Sequence, residues 1–71
     1  MRYSELVRKL RRLGVEFYRQ ARGSHEVWWH PPTGRRTTIP NHPGKEIKKK
    51  TLAAILRDLD LKQEDLEGRQ R

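Results

Sequence analysis

The chain reads as an α+β domain of order α-β-β-β-α, a small three-stranded antiparallel sheet with two helices on one face. Three observations predict it. Apolar residues recur at three- and four-residue spacing near both ends of the chain. The middle switches to short β-rich runs separated by Gly- and Pro-containing turns. A length of 71 residues leaves room for one core. A run of strands flanked by helices favours a sheet covered on one side.

The first helix is expected over Ser4 to Leu13, where Leu6, Val7, Leu10 and Leu13 form one stripe. Ser4 is the expected N-cap, its hydroxyl accepting from a free amide of the first turn. Gly14 suits the left-handed position just past the end. Val15 to Ala21 alternates like a half-buried strand, with Val15 and Phe17 set against Glu16 and Tyr18. Arg22-Gly23-Ser24 marks a turn, and His25 to His30 is a second strand that closes a hairpin with the first. Pro31-Pro32-Thr33-Gly34 leads into a third strand, Arg36 to Ile39, stopped by Pro40. Asn41 to Glu46 reads as a loop. Leu52, Ile55, Leu56 and Leu59 give a second helical stripe starting near Lys49, and Lys62 to Leu66 allows one more short helical turn. Residues 1–71 are expected to form one domain, with 68–71 a frayed tail. The same layout occurs in double-stranded-RNA-binding domains.

Composition narrows the class of partner. Seventeen Lys and Arg stand against nine Asp and Glu, a formal charge of +8. On so small a body this excess attracts phosphate polymers or anionic membranes. No apolar run reaches the roughly 20 residues that span a bilayer, and Met1-Arg2-Tyr3-Ser4 lacks the apolar segment of a secretory signal. A cytoplasmic protein with no membrane partner is therefore expected. Cysteine is absent, which excludes disulfides and thiolate metal sites. His25, His30 and His42 do not have zinc-site spacing, so a site without metal or small-molecule cofactor is expected. Hydrophobic residues make up 32%, enough for one thin layer of helix on sheet and too little to enclose a deep cavity. A ligand site should be a surface or a shallow cleft.

One ordered set of short motifs is more specific. Ser4-Glu5-Leu6 opens the first helix, and Gly23-Ser24-His25 sits at the first strand–strand turn. His30-Pro31 follows, then Ile39-Pro40 with His42 close behind, then Lys49-Lys50-Thr51-Leu52 at a helix start and Ile55-Leu56 within it. In this order and at this spacing the chain resembles the HicA toxins, over residues 3 to 61. It differs at Lys50, where the family often has glycine, and at Trp28-Trp29, where it usually has a single large aromatic. The resemblance implies a toxin that cleaves messenger RNA, a HicB-like antitoxin that neutralises it, and a catalytic histidine at His25.

The residues themselves suit that chemistry. RNA holds its own nucleophile, the 2′-hydroxyl, beside the scissile phosphodiester. One group must take that proton and another must protonate the departing 5′-oxygen. Imidazole, with a reference pKa near 6.5, does either at neutral pH. A lone histidine supplies half of the exchange, and His42 is the candidate second acid. His30 reads as a residue that fixes a loop. Arg22 and Lys48, Lys49 and Lys50 are candidate phosphate contacts, chosen by position, since cations offset the charge gained by a phosphorane. Gly23 lets a phosphate approach the backbone closely, and Ser24 offers a hydroxyl. Trp28 and Trp29 should point to opposite faces, one into the core and one free to stack a base or meet a partner. Two other readings fit the same features: a non-catalytic module for structured RNA, and an inactive family member retained as a partner of its antitoxin.

Overall fold

The computed structural model describes residues 1–68, so the tail expected over 68–71 lies, apart from Gly68, outside the described residues. The elements run α1 (Tyr3–Arg12), β1 (Glu16–Gln20), β2 (His25–His30), β3 (Arg35–Pro40), α2 (Lys49–Leu59) and α3 (Gln63–Leu66). The sheet is antiparallel in the order β1-β2-β3, so β2 is central and both neighbours are edges. This is the predicted α-β-β-β-α layout, with the short terminal turn present as α3.

One core joins the layers. Leu6 and Leu10 of α1, Ile55 and Leu59 of α2, Leu66 of α3, and Val15, Trp28 and Ile39 from the sheet side are almost completely buried together. Alternation in β2 sends Glu26, Trp28 and His30 toward the helices and His25, Val27 and Trp29 to the open face. Registry with β3 places Pro40, Thr38 and Arg36 opposite those three outward residues. At the far end, Thr37 Oγ1 donates to Asp58 Oδ2 at 3.0 Å, tying β3 to the end of α2.

Three local expectations are corrected. Ser4 is not the N-cap: α1 starts at Tyr3 after an extended Arg2, with no side-chain cap. The cause is a β-bridge between Arg2 and Glu46, reinforced by Ile47 N–H donating to the Met1 carbonyl at 2.9 Å, which holds the chain extended up to Arg2. β1 is not half-buried. All five of its residues are exposed, because it is an edge strand that the helices do not cover, and Phe17 keeps 46% of its surface. Pro40 does not stop β3 but forms its last residue, paired with His25, and Asn41 N–H continues the pairing to the Ser24 carbonyl at 2.9 Å. An edge strand tolerates a residue with no N–H to donate.

Gly14 meets its expectation. With φ at +88° it closes α1: its N–H reaches the Arg11 carbonyl, and Val15 N–H reaches that of Leu10. That paired pattern is a Schellman end, which needs a left-handed residue at this place.

Candidate functional site

The Gly23-Ser24-His25 stretch forms the β1–β2 turn and is held from several sides. Gly23 takes φ of +60°, a conformation that glycine adopts without steric cost. His25 N–H donates to the Arg22 carbonyl at 3.1 Å, and Ala21 N–H to the His25 carbonyl at 2.9 Å. The Gln20 amide adds two bonds, to the carbonyls of Gly23 at 3.0 Å and His25 at 2.9 Å. The backbone around His25 is thus fixed while its imidazole is exposed on the open face, and Arg22 is exposed at the turn.

The loop after β3 returns to this turn. Ser24 Oγ lies 3.2 Å from His42 Nε2, which brings the hydroxyl of the turn and the imidazole of the loop together. His42 is exposed and lines a shallow cavity of about 360 Å³ with Tyr3, Lys45, Lys48 and Thr51. The predicted basic run is divided by the start of α2. Lys48 borders the His42 cavity, whereas Lys49 borders a separate hollow with Met1, Leu52 and Leu56. Lys50 is exposed in the first turn of the helix.

Beneath the site lies a residue that the sequence reading passed over. Glu26, 8% exposed, accepts from Tyr3 Oη at 2.6 Å, Trp28 Nε1 at 3.0 Å and Asn41 Nδ2 at 3.0 Å. Burial acts to raise its carboxyl, but the three donors and the nearby Arg11 outweigh it and hold the group below the usual glutamate range. Tyr3 moves the other way, pushed up to about 12 by burial and then by its bond to Glu26. The network ties together the start of α1, the core Trp28 and the loop that carries His42. A signal for it was present: Glu26 shares its strand face with Trp28, and an acid on a core face requires partners.

The remaining candidates separate clearly. His30 turns inward, its Nδ1 3.4 Å from Thr33 Oγ1 and its ring packed near Gly14, as a loop-fixing residue would. Trp28 is the core tryptophan, 1% exposed, and Trp29 lies partly exposed on the face of His25. Among the described residues no group of three or more His, Cys, Asp or Glu is placed to hold a metal ion. No described helix is long and apolar enough to cross a membrane.

Comparison with known sequences decides the family. The family model for the HicA toxin of bacterial toxin–antitoxin systems matches residues 3–61, most of the chain. The chain belongs to the HicA toxin family. A search of curated proteins returned no match. HicA toxins are by that description one half of a toxin–antitoxin pair, so an antitoxin partner belongs to the biology of this family. The HicA match covers the turn with His25, the loop with His42 and the whole of α2, and α3 lies beyond it.

Proposed function

We propose that the protein is a cytoplasmic endoribonuclease toxin that cleaves messenger RNA without a metal ion, with His25 as its central catalytic residue. The observation that carries the reading is the His25 imidazole, exposed on the open sheet face from a turn whose backbone is fixed by four hydrogen bonds, with His42 drawn to the adjacent Ser24. A general acid or base must come within hydrogen-bond reach of the proton it moves, and an exposed imidazole on a fixed turn is accessible to a bound phosphodiester.

In the proposed reaction a base takes the proton from the 2′-hydroxyl, and the 2′-oxygen forms a bond to the adjacent phosphorus. The bond from phosphorus to the 5′-oxygen breaks, and that oxygen takes a proton from an acid. The products are a 2′,3′-cyclic phosphate and a 5′-hydroxyl end. His25 performs one of the two proton transfers, and His42 is the candidate for the other. Because the RNA supplies the nucleophile, no metal-bound water is needed to make one. Arg22 at the turn, and Lys45 and Lys48 at the His42 cavity, offset the negative charge that builds on the phosphorane. Lys49 and Lys50, exposed at the start of α2 and outside the lining of the His42 cavity, are the outlying phosphate candidates. Gly23 keeps the turn free of a side chain at the phosphate. A HicB-like antitoxin with an acidic surface would cover this basic face.

The test is incubation of purified wild-type and His25→Ala protein with RNA in EDTA. Wild type should cleave and leave cyclic-phosphate and 5′-hydroxyl ends, and the variant should be slower by about 100- to 10,000-fold with an unchanged circular dichroism spectrum. Wild-type rates from a folded His25→Ala protein would sink the reading. Intact RNA beside tight, salt-sensitive binding would replace it with the binding-module alternative. Loss of wild-type cleavage on chelation would rule out the metal-free route.

A further inference from the structure

The open sheet face carries an aromatic cluster that the cleavage chemistry does not use. The Tyr18 ring lies 5.3 Å from that of Trp29, tilted by 56°. The Arg36 guanidinium sits 4.6 Å from the centre of the Tyr18 ring. Tyr18 nevertheless keeps 41% of its surface exposed. Its placement depends on a β-bulge. Phe17 pairs with Trp28 and Arg19 with Val27, so Tyr18 is the extra residue between them and lies against Trp29. Bulges are a means of re-aiming one side chain, and they are frequent beside active sites.

We propose that Tyr18 and Trp29, with Arg36, form a stacking platform for bases of a single-stranded RNA whose scissile bond lies at His25. This rests on the ribonuclease reading and gives its site a substrate class. His25, Val27 and Trp29 face the same way along β2, which puts the platform about 13 Å of strand from the imidazole, within reach of a few nucleotides. Aromatic rings accept any base, since every base presents a π-face. The charge nearby is complementary to a phosphate backbone: Arg36 stands in register with Trp29 and Arg19 with Val27, against one acid in register, Glu16. A duplex is the poorer occupant, because its bases are already stacked on one another and proteins grip it by phosphates and 2′-hydroxyls.

The experiment uses the full chain carrying His25→Ala, so that RNA is not consumed, and a fluorescein-labelled single-stranded oligoribonucleotide read by anisotropy. Tyr18→Leu and Trp29→Leu keep apolar bulk and remove the stacking surface, and thermal melts confirm that each variant is folded. Each should weaken binding on the order of 10-fold, and Trp29→Phe should restore most of it. Phe17→Leu, beside Trp28 and off the platform, should leave affinity unchanged. Unchanged affinity in the folded leucine variants overturns the proposal, as does an equal loss for a perfect duplex of the same sequence. Normal RNA binding with lost antitoxin binding or lost self-association would assign the face to a protein instead. The two readings fail separately. If His25→Ala still cleaves, binding is read on a 2′-O-methyl oligonucleotide, which offers no 2′-hydroxyl nucleophile; poor binding by the leucine variants then keeps the platform while the catalytic assignment falls.

Discussion

Glu26 shows how one residue links the core to the site. A carboxylate withdrawn from water is costly unless hydrogen-bonded, and here Tyr3, Trp28 and Asn41 all donate to it. Its depressed carboxyl contributes stability that is complete above the value of an unfolded glutamate and is lost as the pH falls through the folded value. Tyr3 is the mirror case, raised to about 12. Its contribution is complete below about pH 10, the unfolded value, and is lost as the pH climbs from there toward the folded one. Thermal melts should therefore be flat for this pair between about pH 5 and pH 10 and decline at both ends. Glu26→Gln should flatten the acid limb and Tyr3→Phe the alkaline limb. An alkaline decline of full wild-type size in Tyr3→Phe would contradict the assignment. The two tryptophans give a second residue-scale contrast. Trp28→Ala should cost about 3–5 kcal/mol, against a total of roughly 5–15 for a domain, while Trp29→Ala on the open face should cost clearly less. Urea unfolding measures both.

At the scale of elements, the end of α1 depends on Gly14. A Cβ placed there would meet the His30 ring at 3.5 and 3.6 Å, which is ordinary contact, so space is not the obstacle. The backbone is, since φ of +88° disfavours any L side chain. Gly14→Ala should destabilise by about 1–2 kcal/mol in urea unfolding, and a neutral result would mean that the turn relaxes easily. Such features were legible in the sequence because they are local: the leucine stripes, the glycine end of α1, the turn at Gly23 and the start of α2 at Lys49. Others depend on what lies above or beside an element. β1 alternates like a half-buried strand, yet its burial is decided by whether a helix covers it, and no periodicity within residues 16–20 carries that. Ser4 looks like a cap until Glu46 pairs with Arg2 and shifts the helix start. β2 alternation separates Trp28 from Trp29, but only the side taken by the helices decides which is core. The site divides the same way. The place of His25 at the first strand–strand turn was legible from its motif, whereas the Ser24–His42 contact joins residues 18 apart and follows from β2–β3 register.

For the whole molecule, the excess of +8 sets how strongly it attracts a phosphate polymer, and on the proposed ribonuclease reading the placement of the lysines sets the path of the RNA. The start of α2 sends Lys48 to the cavity shared with His42 and Lys45, and Lys49 to the hollow lined by Met1, Leu52 and Leu56. If the strand runs from the Tyr18–Trp29 face past His25 toward His42, Lys45 and Lys48 touch its phosphates and Lys49 contributes less. Counterion release makes this measurable, because each single-strand phosphate contact adds about −0.7 to the slope of log K against log salt. In the His25→Ala background, the Lys45→Ala/Lys48→Ala double variant should make that slope shallower by about 1.4. Lys49→Ala should change it by less than one contact's worth. Both substitutions lower the net charge, so a general field effect would weaken binding in each, but only lost contacts separate the slopes. A full contact's worth of flattening, about 0.7, from Lys49→Ala alone would mean that RNA also passes the hollow beside Lys49, and the cavity at His42 would then no longer define its path.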